Sequence, residues 1–343
     1  MFENTSRRAF LKQGAVVGTA MLLQDSLSPA MAQKPEPAWR DQIGLELYTV
    51  RDVMANDFEG VLAKVAQIGY KEIEPATGFN NMDAKAFRAL LDRYGLGMPS
   101  THTGYPSADD PGIERKLEAL QVMGVRYTEI RPAGVAPAAQ AQRRQLEPGA
   151  YYDQGTGITH NAFKEAGAFG PYQPKVKLDA VKKRAAELNA NGKVAHRFGM
   201  KLFVHNHTGE FEKLLDSDQT MYDVLLAETD PELVTMQLDI GWACIAGMDP
   251  VEIFRKNPGR YELWHIKDVF GLKTVNKSLS PNERVSSMSL VPVGTGQIDY
   301  KPIFAQAKLA GLKHFVVEQD NAAAYGDSVA AARVSHQNLR AML

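Results

Sequence analysis

Leu202-Phe203-Val204-His205-Asn206-His207-Thr208-Gly209-Glu210 opens the stretch on which the fold is decided. It ends a short apolar run, 201–206, that is followed by a helical pattern over Gln219–Glu228 and by a second apolar run, Val234–Ile240. Strand, helix and strand in that order are the repeat of a parallel α/β sheet. The repeat continues in both directions. Strand patterns recur at Ile43–Thr49, Tyr70–Pro75, Gly97–His102, Arg126–Arg131, Tyr261–Lys267 and Lys313–Glu318, bringing the number to eight. Helical faces lie between them, as where Phe58, Val61, Leu62 and Val65 fall on one side of 57–66. Others cover Ala84–Tyr94, Gly112–Met123, Lys177–Phe198, Pro250–Lys256, Tyr300–Ala310 and Asp327–Met342. Eight alternations without a compositional break predict a single (β/α)8 TIM barrel over residues 41–343. A doubly wound open sheet is disfavoured, because Leu45-Glu46-Leu47-Tyr48-Thr49-Val50 stands where a Gly-x-Gly-x-x-Gly phosphate turn would follow the first strand.

One connection is too long for a simple turn. From Pro132 to Gln173 the chain is rich in Ala, Gln, Gly, Pro and Tyr, an insertion after strand 4 on the rim where barrel active sites form. Tyr151, Tyr152, His160, Phe163 and Tyr172 make a covering lid one reading; a disordered or oligomer-contacting loop is the other. The 343 residues carry 39 Lys and Arg against 40 Asp and Glu, a formal charge of −1, so the basic excess of a nucleic-acid binder is absent. With 44% hydrophobic residues the composition is globular.

The first residues form a separate unit. Arg7-Arg8 followed by Phe10-Leu11-Lys12, a mild apolar run from Gly14 to Leu23, and Ala30-Met31-Ala32 resemble a bacterial twin-arginine signal peptide with a signal-peptidase site after Ala32. The expected organisation is a signal at 1–32, a linker at 33–40 and the barrel from 41. The apolar run of about ten residues falls short of the roughly 20 that span a bilayer, so no stable membrane anchor is expected. The expected location is the periplasm, with the twin-arginine translocase as the export partner. That route carries folded proteins, which suits a metal inserted before export. Cys244, the single cysteine, permits no intramolecular disulfide and lies among small and apolar neighbours, as a buried hydrophobe does.

The chemistry-bearing residues gather at the carboxyl ends of the strand patterns. The fifth ends in His205-Asn206-His207, the sixth in Asp239, the seventh in His265-Ile266-Lys267-Asp268 and the eighth in Glu318. Strand alternation points His205 and His207 the same way and Asn206 the opposite way. Taken singly, Asp239 reads as a loop cap, His265 as a core histidine and Glu318 as a partner of Lys267. At successive ends of one parallel sheet, Asp239, His265 and Glu318 offer oxygen and imidazole donors to one divalent ion: Mn, Mg, Co, Fe or Zn. Glu74 and His102, ending the second and third strands, are candidates for substrate contact, with a pair to Lys71 or Arg51 and a rim hydrogen bond as their alternatives, and Trp242 for an apolar floor under the substrate or a place in the core.

Gly69-Tyr70-Lys71-Glu72-Ile73-Glu74, Val204-His205-Asn206-His207, Leu238-Asp239-Ile240-Gly241-Trp242, His265-Ile266-Lys267-Asp268 and Val293-Gly294-Thr295-Gly296-Gln297-Ile298-Asp299-Tyr300 give the chain its resemblance to the xylose-isomerase-like barrel superfamily. It is most similar to the sugar isomerase and epimerase branch, which includes inosose dehydratases and keto-sugar epimerases. The resemblance implies one divalent ion held by carboxylates from strands five, six and eight and a histidine from strand seven, matching Asp239, His265 and Glu318 here. Strand five departs from the pattern. His205 stands where the glutamate is expected, with His207 and Glu210 as the alternatives.

The implied activity is isomerisation or epimerisation of a sugar or keto-sugar by proton abstraction beside a carbonyl, through an enediolate that the metal stabilises. Glu318 is the expected base, His207 or Glu210 the partner acid, and Lys267 a holder of substrate oxygen, with an ordinary salt bridge as the alternative for each of the last three. The altered strand-five position disfavours a two-base epimerase and keeps a lyase or dehydratase on a keto-sugar or 3-keto-glycoside close behind. A noncatalytic sugar-binding protein is a second class. An endonuclease is a third, and the neutral charge weighs against it.

Overall fold

The computed structural model describes residues 39–76, 78–102, 109–130, 150–153, 158–161 and 176–343; the expected export signal lies outside them. Eleven strands are described: β1 (Ile43–Glu46), β2 (Glu72–Glu74), β3 (Tyr127–Thr128), β4 (Ala150–Asp153), β5 (Ile158–Asn161), β6 (Lys201–His205), β7 (Val234–Asp239), β8 (Leu263–Ile266), β9 (Asp268–Phe270), β10 (Ser289–Val291) and β11 (His314–Val317). Seven of them form one parallel sheet in the order β2-β1-β11-β8-β7-β6-β3. The stave expected at Gly97–His102 is present as two single parallel bridges, Glu72 to Gly97 and Ser100 to Tyr127, which join β2 to β3. Pro99 has no N–H to give a ladder; its carbonyl accepts from Arg126 and Tyr127 at 2.7 and 3.0 Å. The sheet thereby curls into the expected barrel.

Alternation along the staves sorts side chains to two sides. Leu45, Ile73, Leu202, Val204, Leu238, Trp264, Ile266, Phe315 and Val317 join the large core between sheet and helices. Phe203 and Leu263, of the opposite parity, pack with Tyr127 in a separate interior cluster. Glu46, Glu74, His205, Gln237, Asp239 and His265 share that interior parity nearer the carboxyl ends. The apolar plug therefore sits low, and charged groups sit above it.

Most helices start where the sequence offers a cap. Asp57, Asp83, Thr220, Asp249 and Asp327 each accept a backbone N–H from the first turn of Phe58–Ile68, Ala84–Tyr94, Met221–Glu228, Pro250–Lys256 and Ser328–Met342. Ile113–Met123 and Leu178–His196 complete the match, and the expected Tyr300–Ala310 helix divides into Tyr300–Phe304 and Ala307–Ala310. Two features were not expected. A helix, Ile240–Ala246, follows β7 without a loop, and residues 268–299 form an excursion carrying the antiparallel β9–β10 pair. The first strand also stops early, because the Glu46 carboxylate accepts the Tyr48 N–H at 3.3 Å and turns the chain into a 3-10 segment, Leu47–Val50. Strands β4 and β5 pair Tyr151 with His160 within the insertion; the lid reading depends on side chains outside the described set, including those of Phe163 and Tyr172. No helix among the described residues is long and apolar enough to cross a membrane.

Candidate metal and catalytic site

The parallel register places Asp239 beside His265 and His205 beside Gln237. One ligand atom from each of Asp239, His265 and Glu318 falls within 4.8 Å of the others. Asp239 Oδ1 accepts the Trp242 N–H at 2.8 Å and so caps the helix Ile240–Ala246, while Oδ2 is buried without an aligned hydrogen-bond donor. Gly241 lets that helix approach; a Cβ there would lie 2.7 Å from the Lys267 carbonyl oxygen. His265 is held at both ring nitrogens, Nε2 2.6 Å from Glu74 Oε1 and Nδ1 3.0 Å from Glu318 Oε2. With Glu74 accepting the Nε2 proton, Nδ1 is left to ligate beside Glu318 and Asp239 Oδ2. Two carboxylates and an imidazole, one ring nitrogen braced by a carboxylate, match the donors and outer support of a divalent-ion site. The cluster can hold one metal ion.

A protein cation already sits at these carboxylates. Lys267 Nζ lies 3.1 Å from Asp239 Oδ2, 2.9 Å from Glu318 Oε2 and 2.6 Å from Asp320 Oδ2, over the face of Trp242 at 4.7 Å. Burial opposes ionisation of Glu318, but Lys267 and His265 hold its carboxyl well below the usual range. Burial pushes Asp239 upward against the same two cations. Burial would neutralise His265, yet Glu74 and Glu318 raise it to about 9. Such groups cost several kcal/mol each to bury and are poor sources of stability, so their concentration at one rim points to use.

A second layer adjoins the first. Glu74 receives both Gln237 amide contacts, at 2.8 and 3.1 Å, and lies 3.1 Å from His102 Nε2. Ligand atoms of Glu46, Glu74, His102 and His265 also fall within 4.8 Å of one another, as do those of His102, His205 and His265. Burial and the neighbouring Glu74 push Glu46 well above its ordinary value. Burial and the histidines around it keep His205 well below its own.

The structure thus brings Asp239, His265 and Glu318 together and separates the remaining expectations. His205 joins His102 and His265 rather than the two carboxylates; its Nδ1 meets Gln237 Oε1 at 3.0 Å. Its ring and that of His207 lie 4.9 Å apart, on one side as the alternation requires. Glu210 is braced locally, accepting the His207 backbone N–H at 2.8 Å, and is absent from the clusters. Glu74, a candidate for substrate contact, is instead 0% exposed with its oxygens occupied by His265, His102 and Gln237. Trp242 packs with Ile245, Val269, Val285 and Leu290 and lies with its face under Lys267 Nζ. Lys267 Nζ is paired with Asp239, Glu318 and Asp320. Burial raises the Cys244 thiol to about 12, and the side chain packs against the main core.

Three participants were missed. Gln237 and Asp320 bind the charged groups directly, and Glu129 reaches His102 Nδ1 at 3.4 Å. The parity of Gln237 with Asp239 was a readable signal. Asp268 explains two of the motifs: its buried carboxylate accepts N–H groups from Val269, Gly294, Gly296 and Ile298, tying the start of β9 to the glycine loop. Gly296 has no room for a Cβ, which would collide with that carboxylate.

The family described as xylose isomerase-like TIM barrel matches residues 62–341. This chain belongs to it. Among its relatives, the inosose dehydratase of Geobacillus kaustophilus (strain HTA426) is 27% identical over 279 residues, covering 77% of this chain and 81% of that one. The inosose dehydratase of Clostridium beijerinckii is 33% identical over 259 residues, covering 73% and 77%. In solved structures the barrel matches a sugar phosphate isomerase/epimerase from Parabacteroides distasonis with a TM-score of 0.62, 19% identity and coverage of 93% and 97%. It also matches the IOLI protein with a bound zinc atom (TM-score 0.55, 13% identity, coverage of 88% and 97%). A barrel protein from Mycobacterium smegmatis in complex with magnesium gives 0.53, 17%, and coverage of 88% and 96%. At these identities the structural likenesses speak for the fold.

Proposed function

We propose that this xylose isomerase-like barrel is a divalent-metal-dependent enzyme that removes the proton beside the carbonyl of an unphosphorylated keto-sugar or keto-cyclitol and then expels a β-hydroxyl, a dehydratase-type elimination. The observation that carries the reading is the buried convergence of Asp239, His265 and Glu318 at the carboxyl ends of successive staves. Those three residues would hold the ion. When bound, it supplies Lewis-acid polarisation of adjacent substrate oxygens. Glu318 is the base: Lys267 and His265 keep it ionised, and at 8% exposure it is more open than Asp239 at 0%. Glu74 fixes the His265 ring. Lys267 and Asp320 hold the two carboxylates in place.

Elimination is preferred because histidine replaces the strand-five carboxylate, leaving one clear carboxylate base among histidines, and because both relatives above carry a dehydratase name. Isomerisation or epimerisation is the second reading; it shares the first step, and a two-carboxylate exchange is what His205 argues against. Export to the periplasm by the twin-arginine translocase belongs to the same proposal, resting on Arg7-Arg8 and Ala30-Met31-Ala32. The test is metal-replete protein with ketoses, inososes and 3-keto-glycosides in deuterated water. Deuterium at the carbon next to the carbonyl, with a dehydrated product, is expected; a full panel without exchange, isomer or dehydration overturns the proposal.

A further inference from the structure

Resting on that elimination, we propose that His102, backed by Glu129, is the general acid that protonates the departing β-hydroxyl. Removing a proton is half of a dehydration; hydroxide is a poor leaving group unless an acid meets it. The chain must supply a donor positioned away from Glu318. His102 is held in such a place from three sides. Its Nε2 lies 3.1 Å from Glu74 Oε1, its ring stands edge-on to Phe203 at 4.9 Å, and the His205 ring lies 5.1 Å away.

Nδ1 meets Glu129 Oε2 at 3.4 Å, the more exposed of the two carboxylates on the ring and the side from which a substrate hydroxyl would take its proton. Exposure separates the members of this line: the side chain of Glu74 is 0% exposed, that of His102 16% and that of Glu129 21%, so the line runs from the barrel interior outward. His265 stands between the two halves of the chemistry, its ring 5.7 Å from that of His102 and its Nδ1 3.0 Å from Glu318 Oε2. Base and acid therefore flank one histidine.

The step balances within these groups. Glu318 takes the proton from the α-carbon, and the C–H electron pair becomes the new bond order between the α- and β-carbons. The C–O bond at the β-carbon breaks, its pair goes to oxygen, and that oxygen takes the Nδ1 proton of His102 and leaves as water. His102 remains neutral with its Nε2 proton on Glu74. Solvent protonates it again beside Glu129, and Glu318 returns its proton to solvent.

The experiment separates the half-reactions. Full-length, metal-replete wild type, H102Q and E129Q are incubated with an inosose in deuterated water, and α-deuterium incorporation and dehydrated product are followed together with metal content. H102Q is expected to lose elimination by about 10²-fold or more while exchange falls by less than about tenfold, and E129Q to separate the rates in the same direction by a smaller factor. Should H102Q not fold, E129Q carries the test. Equal loss of exchange and elimination at wild-type metal content overturns the assignment, as does a wild type that exchanges but forms only an epimer. A wild type that neither exchanges nor eliminates overturns the proposed function itself.

Discussion

Replacing Lys267 by methionine removes the one ammonium among Asp239, Glu318 and Asp320 and leaves three carboxylates facing each other in a buried layer. Each contact, near 3 Å, has a gross attraction of about 5–6 kcal/mol at an effective dielectric of 20. Desolvation consumes most of that sum, and removing one member of a buried ion cluster costs about 3–5 kcal/mol. Lys267→Met is therefore expected to lose about 3–5 kcal/mol in urea unfolding with chelator present. A divalent ion supplies the missing positive charge. At 100 times its dissociation constant it should restore about 2.7 kcal/mol. The variant should also bind metal more tightly than wild type, since no ammonium competes for Asp239 Oδ2 and Glu318 Oε2. A loss below about 1 kcal/mol in chelator, or a weaker metal affinity than wild type, refutes the reasoning, because the cluster would then be worth no more than a surface ion pair.

Other consequences are as direct. Asp268→Ala strands the N–H groups of Val269, Gly294, Gly296 and Ile298; it should cost roughly 2–5 kcal/mol in denaturant melts, with faster amide exchange over 293–298. His336 packs edge-on to Tyr70 and against Gly69, and burial lowers its pKa below 6.5 despite its bond to the Gly69 backbone. Its contribution is present above pH 6.5 and is lost as pH falls through the lowered value, so the Tm advantage of wild type over His336→Gln should shrink on acidification. Replacing both Arg7 and Arg8 by lysine should stop periplasmic accumulation while leaving cytoplasmic folding intact, as fractionation with blotting would show.

Much of this was legible in the chain because one parity rule runs through a parallel barrel. Asp239 and His265 occupy the last inward place of a stave and Glu318 the position just after one, and strand ends survive small errors of boundary. The helices were readable from their apolar faces, as where Phe58, Val61, Leu62 and Val65 align. What escaped involved partners that only three-dimensional closure brings together. Glu74 looked like a rim residue, yet the shear of the barrel carries it under His265, 191 positions away. Lys267 was ambiguous because Asp320 lies two places beyond the last strand pattern. The third stave lost its ladder to Pro99, and the helix after Asp239 had no loop to announce it. Glu129 drew no attention for a simple reason: its partner, His102, comes from the neighbouring stave.

The proposed chemistry depends on one ion held by Asp239, His265 and Glu318. Its most direct test is metal per chain, measured after exhaustive dialysis of wild type and Asp239→Asn folded with the same metal supply. About one divalent ion is expected in wild type and near none in the folded variant. An equally loaded variant, or a wild type that holds no ion at any divalent-metal supply, contradicts it.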